Sequence, residues 1–335
     1  RSPLVPEWQA LTAAGTMLLL GLLYSLRPNM GHPVSETLAA VTCGMTAGFL
    51  ATASNPDDAK YQALVSAFAA AGILAAMRWA WRGRNDVATA RVAGDCAALG
   101  LIVSVGGLAF LILGVKIELL LAGLFGLSAP LIQALPGFSI SIPAERLIDE
   151  ATIVREARSV RHAEPKKLDM ITPQETADLI AAGTARNRLW TAILCSTALV
   201  MLPTMTRAAL RGGWQGAVAG ASIGFVALAF LLVPRAAAAI YVRVIPRATV
   251  AAMALCGAAF TGARGLIKEP VPPVVVLTCV AFTILLVSIP ISRGWRPLSF
   301  TRIADIVQSL ACAWALPLAL AGTGLITLVR TGGTS

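Results

Sequence analysis

Apolar runs of about 20 residues recur along most of this chain, separated by short stretches of charge, Pro or Gly. Each run is long enough to cross a ~30 Å hydrocarbon core as an α-helix. With 57% hydrophobic and only 13% charged residues, the chain has too little polar surface for an ordinary soluble domain. We predict an all-α fold, a polytopic transmembrane helical bundle with about ten spans in this chain. The predicted spans are 9–26, 34–53, 61–81, 92–114, 117–136, 188–206, 214–233, 247–266, 271–290 and 303–329.

The predicted spans divide five to five around one long polar segment. This gives a first membrane half over 1–136, a loop over 137–187 and a second membrane half over 188–335. The polar break between the fourth and fifth spans, at Lys116 and Glu118, is very short. The fifth run is therefore either a span or a re-entrant element.

The long loop carries two helix signals. Between 145 and 155, apolar residues repeat at helical spacing opposite charged ones, which predicts an amphipathic surface helix. The segment 172–175 (TPQE) has the form of a capping box with Pro at the first helical position, so a second helix is predicted to begin there. That helix can continue into the sixth span. The loop is either a solvated connector or a docking surface for partner proteins, with Glu145, Arg146, Asp149, Arg155 and Glu175 as candidate contacts.

The distribution of basic residues predicts the orientation. Nineteen of the 27 Lys and Arg residues lie on one side of the ten spans and eight on the other. Because cytoplasmic loops carry the excess of Lys and Arg, the long loop is predicted to be cytoplasmic in a bacterial inner membrane, with both ends of the chain outside. A chain that starts at Arg1 with no signal peptide then implies one more span upstream, or eleven in the full protein.

Charged groups near the bilayer centre are costly and usually mark ion paths. No charged residue falls at mid-span in this sequence. Asp95 lies about one turn inside the fourth span with Arg91 one turn earlier, which favours a local ion pair or interface anchor over a transport role. Arg78 and Arg264 lie near helix ends, where their side chains can snorkel to the headgroups.

Sequence signals for catalysis and cofactors are missing. No P-loop, dinucleotide fingerprint, H-E-x-x-H or G-x-S-x-G motif occurs, and there are only two His residues. All six Cys residues fall inside apolar runs without a C-x-x-C pair, which is typical of buried apolar thiols. We expect no enzyme, no cofactor and no metal. The basic residues form short clusters between spans, which favours topology signals or lipid headgroup contacts over nucleic-acid binding.

Small residues predict where helices approach closely. Gly216, Gly220 and Gly224 are spaced four apart in the seventh span, and Gly44 and Gly48 repeat the pattern in the second. Such faces favour close helix packing, either within the chain or between subunits. Pro317 is predicted to kink the last span.

The architecture and the C-terminal sequence together resemble the membrane portion of the EccD family, the many-spanning subunit of mycobacterial type VII (ESX) secretion systems. The similarity includes the five-plus-five spans around one loop. Phe300 and Ala321 stand where the family has Pro and Trp. The C-terminal segments that carry the resemblance are 299–305 (SFTRIAD), 315–320 (ALPLAL), Gly322 and 328–330 (LVR).

The resemblance implies a structural role. EccD-like subunits pair as homodimers around a lipid-filled vestibule and assemble with EccB, EccC and EccE, of which EccC supplies the ATPase. It also implies a ubiquitin-like domain and a first span ahead of this chain. The alternatives from other classes are a secondary transporter or permease for a small neutral substrate, and a membrane-embedded lipid or glycan enzyme.

Overall fold

The computed structural model describes residues 7–27, 32–52, 59–83, 86–114, 116–139, 173–236, 239–263 and 298–330. Within these ranges the secondary structure is entirely helical. A 3₁₀ turn, Val233–Ala236, follows the seventh helix. The α-helices are α1 (Glu7–Leu26), α2 (Pro33–Thr52), α3 (Ala59–Arg82), α4 (Val87–Ile112), α5 (Ile117–Ser139), α6 (Pro173–Ala209), α7 (Gly213–Leu232), α8 (Ile240–Ala263), α9 (Leu298–Gly322) and α10 (Leu325–Arg330).

Nine of the helices in the described ranges, α1 to α9, are long and apolar enough to cross a membrane. The chain is therefore a multi-pass membrane protein, and the predicted all-α fold is confirmed. The nine helices coincide with nine of the ten predicted spans. The remaining predicted span, 271–290, lies outside the described residues, as does the amphipathic helix predicted over 145–155.

Helix α4 begins earlier than the predicted start at residue 92, because Asp86 caps it. The backbone of Asp86 is extended, and its carboxylate accepts hydrogen bonds from the backbone N–H of Ala88 at 2.9 Å and the hydroxyl of Thr89 at 2.6 Å. An N-cap side chain satisfies donors that the first helical turn leaves without partners. Hydropathy detects only the apolar part of such a helix, so the predicted start was too late.

Helix α4 ends at a glycine in the left-handed conformation. The backbone N–H of Leu113 donates to the carbonyl of Ala109 at 2.9 Å, and Gly114 follows with φ +65°. A left-handed residue after the last helical turn is a common helix end, and Gly adopts it without strain. Helix α5 is itself long enough to cross a membrane, which favours a span over a re-entrant element.

Helix α6 begins at Pro173 and continues without interruption through the predicted sixth span for 37 residues. The predicted helix start within 172–175 is confirmed, as is its continuation into the span. At about 1.5 Å per residue the helix is about 55 Å long, roughly 25 Å more than a ~30 Å hydrocarbon core. Its first turns are largely exposed, including Ile180 at 65%.

The chain forms two compact units. The first comprises residues 1–113 and 134–189, and within it α1 to α4 pack side by side in chain order. The second comprises residues 114–133 and 190–335, and its core includes Phe125, Phe230 and Met205.

Helix α9 packs against α5 and α7 within the second unit. A Cβ on Gly126 would meet Leu316, and the thiol of Cys312 donates to the carbonyl of Ala129 at 3.4 Å. Later residues of α5 therefore face earlier residues of α9, and the two helices are antiparallel. Helix α9 continues through Pro317 to Gly322.

Candidate functional site

A fully buried arginine joins three helices of the first unit. Arg78, one turn before the end of α3, is 0% exposed. Its Nη2 donates to Oε2 of Glu36 in the first turn of α2 at 2.5 Å, and its Nη1 donates to the carbonyl oxygen of Tyr24 in the last turn of α1 at 2.7 Å. We call Arg78, Glu36 and the Tyr24 carbonyl the Arg78 cluster.

Two more hydrogen bonds link α3 to the same end of α1. Arg82 donates from Nη2 to the carbonyl of Leu26 at 2.6 Å, and the buried hydroxyl of Ser25 donates to the carbonyl of Leu74 at 3.1 Å. The last carbonyls of a helix have no intrahelical donors and carry partial negative charge. The arginines of α3 therefore supply donors and positive charge where α1 lacks both.

A second arginine makes the same kind of junction elsewhere in the first unit. Arg186 of α6 binds both carboxylate oxygens of Asp95 in α4, from Nε at 2.5 Å and from Nη2 at 3.0 Å. Its Nη1 donates to the carbonyl of Phe138 in the last turn of α5 at 3.0 Å. We call these three groups the Arg186 cluster. Two-pronged binding of this kind fixes the geometry of the pair as well as strengthening it.

The two clusters are built in the same way and lie toward the same end of the α3–α4 pair. Each contains an arginine, a carboxylate from a second helix and a carbonyl from the last turn of a third. The end of α3 and the start of α4 are joined by residues 83–86, so they lie on the same side, and Asp95 is about 12 Å along α4 from that start. Two arginine-centred junctions thus hold helices of the first unit together, one near the end of α3 and the other in the first half of α4.

The clusters add to two interpretations of the sequence. Arg78 lies near a helix end, where snorkelling is possible, but it is fully buried because Glu36 and the end of α1 provide partners inside the protein. For Asp95 the sequence favoured a local ion pair or an interface anchor, and the structure shows that it binds Arg186, 91 residues away. Arg264, also expected to snorkel, lies outside the described residues.

The groups of both clusters make hydrogen bonds and charge pairs with one another. Over the described part of the chain, no group of three or more His, Cys, Asp or Glu residues is placed to hold a metal ion. Five of the six cysteines are described and all five are free thiols. The arginine junctions bring together donors and acceptors that hold helices, and each carboxylate is engaged by a guanidinium.

The predicted glycine face of α2 lies against α3. A Cβ on Gly44 would approach the backbone of Ala71 to 3.0 Å, and one on Gly48 would approach the carbonyl oxygen of Ser66 to 2.3 Å. This close approach also lets the Ser66 hydroxyl donate to the carbonyl of Gly48 at 2.8 Å. The two glycines of α2 therefore pack within the chain.

The three glycines of α7 do not form one packed face in the described structure. A Cβ on Gly216 would be 2.6 Å from the carbonyl oxygen of Ala209, but one on Gly220 would have only Ala209 at 4.0 Å, and one on Gly224 would meet nothing within 4 Å. Helix α7 is instead approached closely at Ala219, by Gly322 of α9.

The sequence did not predict a second close crossing in the first unit, between α3 and α4. A Cβ on Gly100 of α4 would lie 2.6 Å from the Cα of Gly72 in α3. A four-residue spacing of small residues is a property of one helix, whereas this contact pairs single glycines on two helices. The signal that would have found it is a small residue at matching depth on neighbouring spans.

Most of the residues proposed for partner docking are not covered by the structure. Glu145, Arg146, Asp149 and Arg155 lie outside the described residues. Glu175 lies in the first turn of α6, in the part of that helix that extends beyond the length of a span. Their role in docking stays a prediction.

Comparison with models of known protein families found no match, and comparison with curated proteins also found none.

Proposed function

We propose that this chain is a structural membrane subunit of a protein secretion complex of the type VII (ESX) kind. The observation that carries the proposal is the use of intramembrane charge. In both arginine clusters the guanidinium joins a carboxylate and a helix-end carbonyl of two other helices. Charge placed this way holds a bundle in one arrangement.

A transporter typically uses its intramembrane polar groups differently. Substrate and ion sites lie near the bilayer midplane, formed by broken helices with accessible polar groups. Here Glu36 lies in the first turn of α2 and Arg78 one turn from the end of α3. Both groups are near helix ends and are engaged with each other, which supports a scaffold over a permease for charged substrates.

The EccD-like features of the sequence make the proposal specific. They imply a homodimer around a lipid-filled vestibule, partners resembling EccB, EccC and EccE, and an ATPase supplied by the EccC-like partner. The projecting start of α6 supports a docking role for this side of the protein, since it offers exposed helix beyond the membrane for a partner to bind. In this proposal the long loop is cytoplasmic and the chain itself is not an enzyme.

Purification from native membranes in a mild detergent tests the proposal. The complex should elute at a mass several times that of the 34.7 kDa chain, and mass spectrometry should identify an ATPase and at least two further membrane proteins in constant ratio. A lone monomer or dimer, stable in the same detergent that preserves known membrane complexes of the host, would overturn the scaffold proposal and favour the permease.

The docking residues are tested separately in the same preparation. Reversing charge at Glu145, Asp149 and Arg155 together should release the ATPase while leaving the chain folded and in the membrane. Assembly that proceeds unchanged with this variant would remove the loop from the docking surface without deciding whether a complex exists.

A further inference from the structure

We propose that the Arg186 cluster positions the start of α6, residues 173–185, for docking to a partner protein. The cluster joins α6 to α4 through Asp95 and to the end of α5 through the carbonyl of Phe138. Docking of a partner at the start of α6 rests on the proposed function, whereas the positioning is a property of the isolated chain. Asp95 and Arg186 are then positioning residues, which act on the partner through the direction of α6.

Three hydrogen bonds to two other helices hold the side chain of Arg186. Its Nε and Nη2 bind the two carboxylate oxygens of Asp95 at 2.5 and 3.0 Å, and its Nη1 donates to the carbonyl of Phe138 at 3.0 Å. A guanidinium is planar and its donors form a rigid fork. Because all three groups belong to the first unit, the cluster fixes this part of α6 relative to α4 and to the end of α5.

The buried side chains at the start of α6 are small. Among the residues before Arg186 whose side chains the structure describes, the buried positions of this helix are Ala182, Gly183 and Ala185. None of them carries more than a methyl group, and the contact energy of packing grows with the number of atoms in contact. The large buried side chain of this region, Leu189, follows Arg186. The Arg186 cluster therefore makes a large share of the contact that orients the start of α6.

Helix α6 transmits the orientation at Arg186 to its own start. The helix is continuous from Pro173 to Ala209, and residues 173–185 span about 20 Å at ~1.5 Å per residue. Asp178 precedes Arg186 by eight residues, or about 12 Å. A tilt of about 20° at Arg186, the size of a distinct helix kink, would therefore move Asp178 by roughly 4 Å.

A fixed direction of the helix favours docking. A binding element that is already held in its bound orientation loses less conformational freedom on association. If α6 has this orientation in only a fraction of the molecules, the apparent affinity for the partner falls by that fraction. The cluster thus raises the affinity of the docking element without contacting the partner.

Distance measurements between two spin labels on the full chain test the proposal. Nitroxide labels are attached to Thr46→Cys in α2 and Asp178→Cys in α6, in a cysteine-free background in lipid nanodiscs. Both positions are exposed and belong to the first unit. The otherwise unsubstituted chain should give one narrow distribution of distances. Asp95→Asn and Arg186→Gln should each widen it by roughly 4 Å, as a ~20° tilt of α6 requires.

Two further variants separate positioning from a loss of stability. Glu36→Gln breaks the buried ion pair of Arg78 in the same unit but removes no group of the Arg186 cluster. It should therefore lower the melting temperature and leave the distribution narrow. Asp95→Glu keeps a carboxylate for the guanidinium, so its distribution should be narrower than that of Asp95→Asn.

The proposal is overturned if Asp95→Asn and Arg186→Gln leave the distribution as narrow as in the unsubstituted chain. It is equally overturned if Glu36→Gln widens the distribution as much as Asp95→Asn does, because the widening would then follow from lost stability alone. The distances are measured on the isolated chain. A chain that purifies without partners, yet shows the widening only when the Arg186 cluster is broken, would support the positioning and overturn the proposed function.

Discussion

Replacing Glu36 with Gln should destabilise the first unit by about 3 kcal/mol. The substitution keeps the size of the side chain but removes the carboxylate that binds the fully buried guanidinium of Arg78. Breaking a buried ion pair by removing one partner typically costs about 3–5 kcal/mol. We expect the lower end of that range, because the carbonyl of Tyr24 continues to accept a hydrogen bond from Arg78.

A double-mutant cycle separates the ion pair from simple packing. Glu36→Leu and Arg78→Met should each cost about 3 kcal/mol alone, but the double variant should cost much less than their sum, because an apolar pair of similar volume is often as stable as a buried ion pair. The coupling free energy should therefore be at least about 2 kcal/mol, well above the few tenths expected for independent sites.

The assay measures the free energy of reversible unfolding of the purified protein in mixed micelles. Unfolding is detected by steric trapping or by a fluorescent probe in the first unit. Glu118→Gln is the matched control, since Glu118 binds Arg211 at 2.7 Å but both side chains are more than 40% exposed. Glu118→Gln should lower the free energy of unfolding by only about 0–1 kcal/mol. Equal losses from Glu36→Gln and Glu118→Gln, or additive effects in the cycle, would refute the argument that burial controls the strength of these pairs.

Three further predictions follow from the packing and the clusters. Gly100→Ala should cost about 1–3 kcal/mol of unfolding free energy by forcing α3 and α4 apart, while Gly224→Ala, with open space around it, should change stability by less than about 0.5 kcal/mol. Asp95→Asn should cost about 1.5–3 kcal/mol, because it removes the charge that Arg186 binds, and the same micelle assay measures it. Tyr241→Cys and Arg302→Cys, each in a cysteine-free background, should react with an impermeant thiol reagent from the same side of the membrane. If α5 to α8 each cross the membrane once, the start of α8 lies on the same side as the end of α5, and so does the start of α9 when α9 is antiparallel to α5. Labelling from opposite sides would contradict the antiparallel packing of α5 and α9.

The spans were predictable because hydropathy reads a property of each segment by itself. The sequence also predicted the start of α6, since a capping-box pattern with Pro at the first helical position is a signal carried by a few consecutive residues. The start of α4 was placed too late, because Asp86 caps the helix through its side chain and adds nothing to the hydropathy of the apolar run.

The junctions were not predictable because they join distant parts of the chain. Arg78 and Glu36 are 42 residues apart, and Arg186 and Asp95 are 91 apart. Each residue alone is a charge near the end of an apolar run, which is equally consistent with snorkelling or with a local pair. Only the packing of the helices against one another decides which carboxylate and which helix end each guanidinium reaches.

The order of the groups along the chain has a consequence for how the protein is made. Glu36 and Tyr24 precede Arg78, and Asp95 and Phe138 precede Arg186. Since synthesis is vectorial, the acceptors of each junction are already in the membrane when the helix bearing the arginine leaves the ribosome. Inserting a helix that carries an unpaired arginine into the membrane costs free energy. Helices α3 and α6 each emerge after the acceptors of their arginines have been inserted. Exchanging Arg78 with Glu36 would preserve the pair yet reverse this order, and we expect slower membrane insertion of the exchanged chain during translation.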